Sequence, residues 1–162
     1  AIKQGTAPPE AVAAVVTSMT ALNKPAAELM KPAGARAATD VTGFGLLGHA
    51  AEMVDGADIG FTIDAAAVPY FPAAVTLVTQ GVAPGGLGRN RDYRGAMVDM
   101  ADTVPPAMRD LLWDPQTSGG LLIAVPADRA DALVVDLHAA GVTAAAVIGE
   151  VTAESPGRIR VR

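Results

Sequence analysis

A chain of 162 residues in which 51% are apolar can bury one sizeable core, so a single domain over 1–162 is expected. Its net charge of -5 argues against reading a nucleic-acid backbone, which needs clustered Lys and Arg. The absence of cysteine removes disulfides, thiolate metal sites and cysteine nucleophiles, and fits a reducing cytoplasm. No stretch approaches the roughly 18 uninterrupted apolar residues of a membrane helix, and the first residues lack the pattern of a signal peptide. A soluble cytoplasmic protein without nucleic-acid or membrane partners is the expectation.

In chain order, the sequence opens on Ala1-Ile2-Lys3-Gln4-Gly5 with no initiator methionine, as if a preceding segment had been cut away. Pro8 and Pro9 stand where a helix can begin, and Val12, Val15, Val16 and Met19 form an apolar stripe. The spacing predicts an amphipathic helix over 9–22, packed on the core. Asn23 and Lys24 break it, Pro25 allows a restart, and 26–30 give a short helix ending near Pro32 and Gly34. Small residues at 35–38 read as a short buried strand. After a polar, glycine-rich stretch at 39–49, Leu47, Ala50, Ala51 and Val54 recur at the spacing of one helix face.

Residues 59–64 alternate in the period-2 manner of a strand, and 73–80 form a helix closed by Gly81. Residues 83–94 carry too many glycines and charges for a regular element and read as a loop. A short helix is expected at 105–112, then an apolar strand at 121–125. Ala130, Leu133, Val134 and Leu137 line a helix whose first turn holds Asp128 and Asp131, favoured by its dipole. A strand at 144–150 completes a strand, helix, strand unit. Residues 158–162 alternate charged and apolar side chains, as an exposed edge strand would.

The stretch 39–49, Thr-Asp-Val-Thr-Gly-Phe-Gly-Leu-Leu-Gly-His, concentrates the chemistry. It belongs on a strand-to-helix turn, where main-chain N–H groups and the close approach allowed by Gly43 and Gly45 favour an anion such as phosphate. Asp40 would repel that anion unless a cation lay between them, and magnesium, which takes one or two carboxylates plus phosphate oxygens, is the natural one. The competing reading is structural: Asp40 or Thr42 caps the helix, and the glycines serve only the backbone. His49, with only His138 besides, does not suggest a zinc ligand. The arginines and Asn90 of 83–94 could hold an anion, though a solvated loop suits them better. Gly119-Gly120 marks a second close approach of backbone to a neighbour.

Two blocks carry a resemblance. Ala38-Thr39-Asp40-Val41-Thr42-Gly43-Phe44-Gly45-Leu46-Leu47-Gly48-His49 and Asp114-Pro115-Gln116-Thr117-Ser118-Gly119-Gly120-Leu121-Leu122 resemble signature stretches of the selenophosphate synthetase (selenide, water dikinase) family. Pro84-Gly85-Gly86 with Arg89-Asn90, and Gln4-Gly5 with Pro8-Pro9-Glu10-Ala11, extend the likeness along the chain. It corresponds to the C-terminal part of that family's protein.

The resemblance implies an α+β fold, a mixed β-sheet covered by helices and partly ferredoxin-like. It is shared with a superfamily that includes aminoimidazole ribonucleotide synthetase. It implies a cytosolic enzyme that converts ATP, selenide and water to selenophosphate, AMP and phosphate with Mg2+. The N-terminal ATP-binding domain, with its Cys or Sec, lysine and further aspartates, is absent here, so no catalytic residue is expected in this chain. That domain and a second copy in a homodimer are the implied partners.

Asp40 matches the one aspartate that this part of the family gives to the metal. Thr42 and Gly43 are placed near the phosphates by the turn, with Asn90, Ser118 and Gly119 as further phosphate-proximal candidates. Leu87 and Trp113 depart from the pattern, the first casting doubt on a loop contact to substrate, the second changing packing. Another ATP-using member of the superfamily, or a stand-alone non-catalytic binding module, are the alternatives.

Overall fold

The apolar repeat beginning at Leu47 folds as an α-helix over Gly45–Val54, and Leu47, Ala50, Ala51 and Val54 are completely buried along one side of it. The computed structural model, which describes residues 1–162, contains six strands and seven α-helices in the order α1 (Pro9–Thr20), α2 (Lys24–Leu29), β1 (Ala37–Asp40), α3 (Gly45–Val54), β2 (Gly60–Ile63), α4 (Pro72–Thr79), α5 (Gly85–Arg94), β3 (Val98–Met100), α6 (Pro106–Leu111), β4 (Leu121–Ala124), α7 (Ala127–Ala139), β5 (Gly149–Thr152) and β6 (Ile159–Val161). A single 3-10 turn at Gly95–Met97 joins α5 to β3.

Four strands make one mixed sheet in the order β3-β6-β2-β5, with β6 parallel to both neighbours and β5 antiparallel to β2. Phe61, Ile63, Ile159 and Val161 from its inner strands join the buried side of α3, with Val104, Met108, Leu112 and Trp113, in the main core. A separate antiparallel pair, β1 with β4, aligns Asp40 opposite Leu121. Beneath it, Ala26, Leu133 and Leu137 form a small second cluster with Leu121 and Ile123. Apolar burial of this kind contributes about 1.5–3 kcal/mol per large side chain, so the main core dominates stability and anchors α3. The α+β class expected from the sequence is the one observed.

Several elements differ from the sequence-based expectation, each for a packing reason. The expected loop at 83–94 is mostly helix α5. Its glycines have poor intrinsic propensity, but Leu87 and Asn90 turn inward and are buried, and tertiary contacts override propensity. Gly86 permits this approach, since a Cβ there would lie 2.6 Å from Pro115 Cγ. The strand expected at 158–162 is not an edge: β6 lies between β2 and β3, with Ile159 and Val161 fully buried. Alternation showed the inward side chains but not the partners on either flank.

The strand, helix, strand unit does not close within one sheet, because β4 pairs with β1 while β5 joins β2. That second strand also begins later than expected, at Gly149. All four residues of β2, Thr62 included, are buried, so its alternation is not between core and solvent. Strand β1 starts at Ala37 and is largely exposed rather than buried. Finally, α1 forms as expected and ends at Thr20, yet buries no residue; Val16 remains 45% exposed. A hydrophobic stripe specifies a helix face, and nothing in this chain seals the face of α1.

Candidate functional site

The two glycine-containing signature stretches fold onto each other. Val41 N–H donates to Gly120 O at 2.9 Å, Gly119 N–H to Val41 O at 3.0 Å, and Gln116 N–H to Thr42 O at 2.9 Å. The ladder begun by β1 and β4 therefore continues past Asp40, and the 114–120 loop backs the turn that leads into α3. Gly119 has to be glycine, because a Cβ would overlap Val41 O. Gly45 has φ +70°, and its missing Cβ would lie 2.7 Å from Trp113 C and 2.9 Å from Asp114 O. Gly43 has open space around it and needs no such explanation.

Asp40 is the last residue of β1, exposed, and its carboxylate takes part in no hydrogen bond or ion pair within the chain. It does not cap α3. The cap position is Phe44, and no side chain bonds to the first amides of the helix, so the structural reading of Asp40 and Thr42 as N-caps fails. Strand pairing carries Asp40 four residues away from the cap. The hydroxyl of Thr42 instead lies 3.1 Å from His49 Nε2, and His49 Nδ1 lies 2.9 Å from Glu52 Oε2. His49 is 7% exposed and contacts the Phe44 ring, with centroids 5.3 Å apart.

Of the amides in this turn, Val41, Phe44 and Gly45 donate to Gly120 O, His49 Nε2 and Thr42 O. Those of Thr42 and Gly43 have no acceptor in the chain. They are two adjacent main-chain donors, two and three residues beyond an unpaired carboxylate.

Asn90 is brought to the site, but its amide nitrogen donates to Gly43 O at 3.0 Å and Trp113 O at 3.1 Å. Both of its N–H bonds are spent on the scaffold, so Asn90 holds the turn and does not offer them to a phosphate. Ser118 is half-buried in the bracing loop, next to Gly119. Leu87 and Trp113, the two departures from the family pattern, are both core residues. Two of the three arginines of α5 are already paired, Arg91 with Asp110 and Arg94 with Asp55. Asn23, which donates to Gly119 O at 3.0 Å, and Glu52 escaped sequence reasoning. The His49–Glu52 spacing of three residues on a helix was a usable signal; Asn23 left none.

No three His, Asp or Glu side chains converge into a complete metal cage. Magnesium does not require one, since it is held by one or two carboxylates together with phosphate oxygens and water. The exposed carboxylate of Asp40 beside free amides fits a share of such a site.

Asp114, in the bracing loop, has its carboxyl pushed up from the ordinary carboxylate range by burial, opposed by the hydrogen bond from Gln116 Nε2 at 3.1 Å. A raised folded value means that stability from this group is fully present below its unfolded value, near 4, and is lost as pH rises through the folded value. Asp114→Asn, which keeps an oxygen for Gln116, should raise the melting temperature at pH 7 and leave it unchanged near pH 3. Thermal unfolding across this range checks it; a difference that fails to grow with pH would contradict the burial of this charge.

The chain matches the model of the AIR synthase related protein, C-terminal domain, over residues 3–162, and it belongs to that family. Three of its curated relatives share one activity in their names. A selenide, water dikinase of Pelobacter propionicus is 50% identical over 161 residues, covering 99% of this chain and 46% of that protein. One from Burkholderia cenocepacia is 42% identical over 161 residues, 99% of this chain and 45% of that protein. One from Porphyromonas gingivalis is 47% identical over 144 residues, 88% of this chain and 41% of that protein. The chain thus spans a little under half the length of these relatives. No helix is long and apolar enough to cross a membrane.

Proposed function

We propose that this chain is the C-terminal part of an ATP-dependent selenophosphate synthetase, which forms selenophosphate, AMP and phosphate from ATP, selenide and water in the cytoplasm. The observation that carries this reading is the meeting of the two signature stretches at one turn. There Asp40 stands unpaired beside the free amides of Thr42 and Gly43. In relatives named selenide, water dikinase the corresponding chain is about twice as long, which leaves room for an N-terminal ATP-binding domain as the partner of this one. The same reading includes a homodimer of the full-length protein.

Asp40 would hold Mg2+, which supplies the positive charge that lets a carboxylate and phosphate oxygens share one site. The amides of Thr42 and Gly43 would donate to phosphate oxygens, with Ser118 and Gly119 nearby on the bracing loop. Asn90 and Gly119 keep the turn in place through their bonds to Gly43 O and Val41. Because phosphoryl transfer is catalysed chiefly by positioning and charge, a chain holding one carboxylate and two amides should show no turnover alone. With ATP, Mg2+ and selenide under anaerobic conditions, the full-length protein should release AMP and the 162-residue chain should not. Robust AMP release by the chain alone would overturn this division of labour.

A further inference from the structure

The hydrogen bonds around His49 determine which atom holds each proton. A carboxylate only accepts, so Glu52 Oε2, 2.9 Å away, requires the proton on Nδ1. A main-chain amide only donates, and the Phe44 N–H reaches Nε2 at 3.4 Å, so Nε2 keeps its lone pair. Both contacts come from α3 and its cap: the first places a proton on Nδ1, and the second leaves Nε2 as the acceptor of a neutral ring. Thr42 Oγ1, 3.1 Å from Nε2, donates its one hydrogen to that lone pair and shares it with the longer contact from the Phe44 N–H. What remains on the Thr42 oxygen is lone pairs alone.

The geometry points to Thr42, two residues beyond Asp40, as an oxygen that can only accept, taking a hydrogen bond from a water bound to the metal ion, with His49 and Glu52 as the residues that position it. This inference rests on the reading of Asp40 as a magnesium ligand and sharpens it. Magnesium gives up its water slowly and is commonly held through it, and such water is a strong donor. A phosphate oxygen has nothing to donate, so the hydroxyl does not serve the phosphates; that part falls to the amides of Thr42 and Gly43. Partners of this kind, acting through a ligand, typically change metal affinity about 10- to 100-fold.

Two measurements on the full-length protein test it. Nitrogen NMR of labelled histidine, with the signals of His49 identified by their loss in His49→Gln, should show Nδ1 protonated and Nε2 unprotonated; a proton on Nε2 would overturn the inference. Titration with Mn2+, with free ion followed by electron paramagnetic resonance, should show binding weakened roughly tenfold in Thr42→Val and restored in Thr42→Ser. Glu52→Ala, at a half-exposed side chain bonded to His49 Nδ1, should weaken it in the same direction. Adding Glu52→Ala to Thr42→Val should weaken it no further. Unchanged Mn2+ binding in Thr42→Val, with binding lost in Asp40→Asn, would overturn this role for Thr42 alone. Unchanged binding in Asp40→Asn would overturn the metal reading of Asp40 itself.

Discussion

Asp40→Asn in the full-length protein should remove most selenophosphate formation, by roughly a hundredfold, while the melting temperature moves by no more than a few degrees. The stability half follows from the structure: the Asp40 side chain is exposed at a strand end, touches no cap position and has no partner to lose. Surface changes of this type are worth about 0.5 kcal/mol or less. The activity half follows from charge, since Asn preserves shape and loses the anionic oxygen that magnesium prefers. Measuring selenophosphate and unfolding on the same preparation separates the two effects. Normal activity would return the turn at 40–44 to a purely structural role.

Gly45→Ala should act in the opposite way, on the fold first. At φ +70° an L-residue costs about 1–2 kcal/mol, and the new methyl would stand 2.7 Å from Trp113 C and 2.9 Å from two carbonyl oxygens. These are main-chain atoms beside the buried Trp113 and Leu112, so they cannot rotate away. Forcing atoms into such a space typically adds about 1–3 kcal/mol. The combined loss, about 2–5 kcal/mol, corresponds to a melting temperature lower by roughly 5 to 15 °C for a chain of this size. Thermal unfolding beside Gly43→Ala, which meets open space, provides the control. Equal melting temperatures for the two variants would mean that the turn does not need its close approach to Trp113.

The contrast between those two glycines shows what was legible in the sequence. The stretch 39–49 identified itself by composition, and the apolar repeat through Leu47, Ala50, Ala51 and Val54 correctly announced the buried side of α3. Both are local signals: one side chain's chemistry, one helix period. Which glycine met a neighbour's backbone depended on Trp113, nearly seventy positions away, and no local pattern contains that. Asn90 illustrates the same limit. Its type and place in an apparently irregular, glycine-rich segment suggested a solvated loop with Asn90 as a phosphate-proximal candidate, whereas the segment is helical and Asn90, buried, bonds to Gly43 O and Trp113 O.

Helix α5 was missed because propensity was read without the core that pays for Leu87 and Asn90 to turn inward. The strand-to-helix turn at 39–49 was legible from residue type and spacing, together with the likeness of two signature blocks, while the bond from Thr42 to His49 needed three dimensions. Strand pairing was the least legible feature, since β1 with β4 and β2 with β5 and β6 join segments far apart in the chain.

The place of β6 bears on how such a chain comes into being. Of the six strands it is made last, yet it lies between β2 and β3 and supplies Ile159 and Val161 to the interior. During synthesis, β2 and β3 emerge from the ribosome without the strand that separates them, and α3 has only part of its seat. Contacts this distant in sequence close slowly, and unpaired inner strands are prone to wrong pairing while they wait. Assembly of the sheet, and with it the firm support beneath the Asp40 turn, is thereby deferred until β6 has been released.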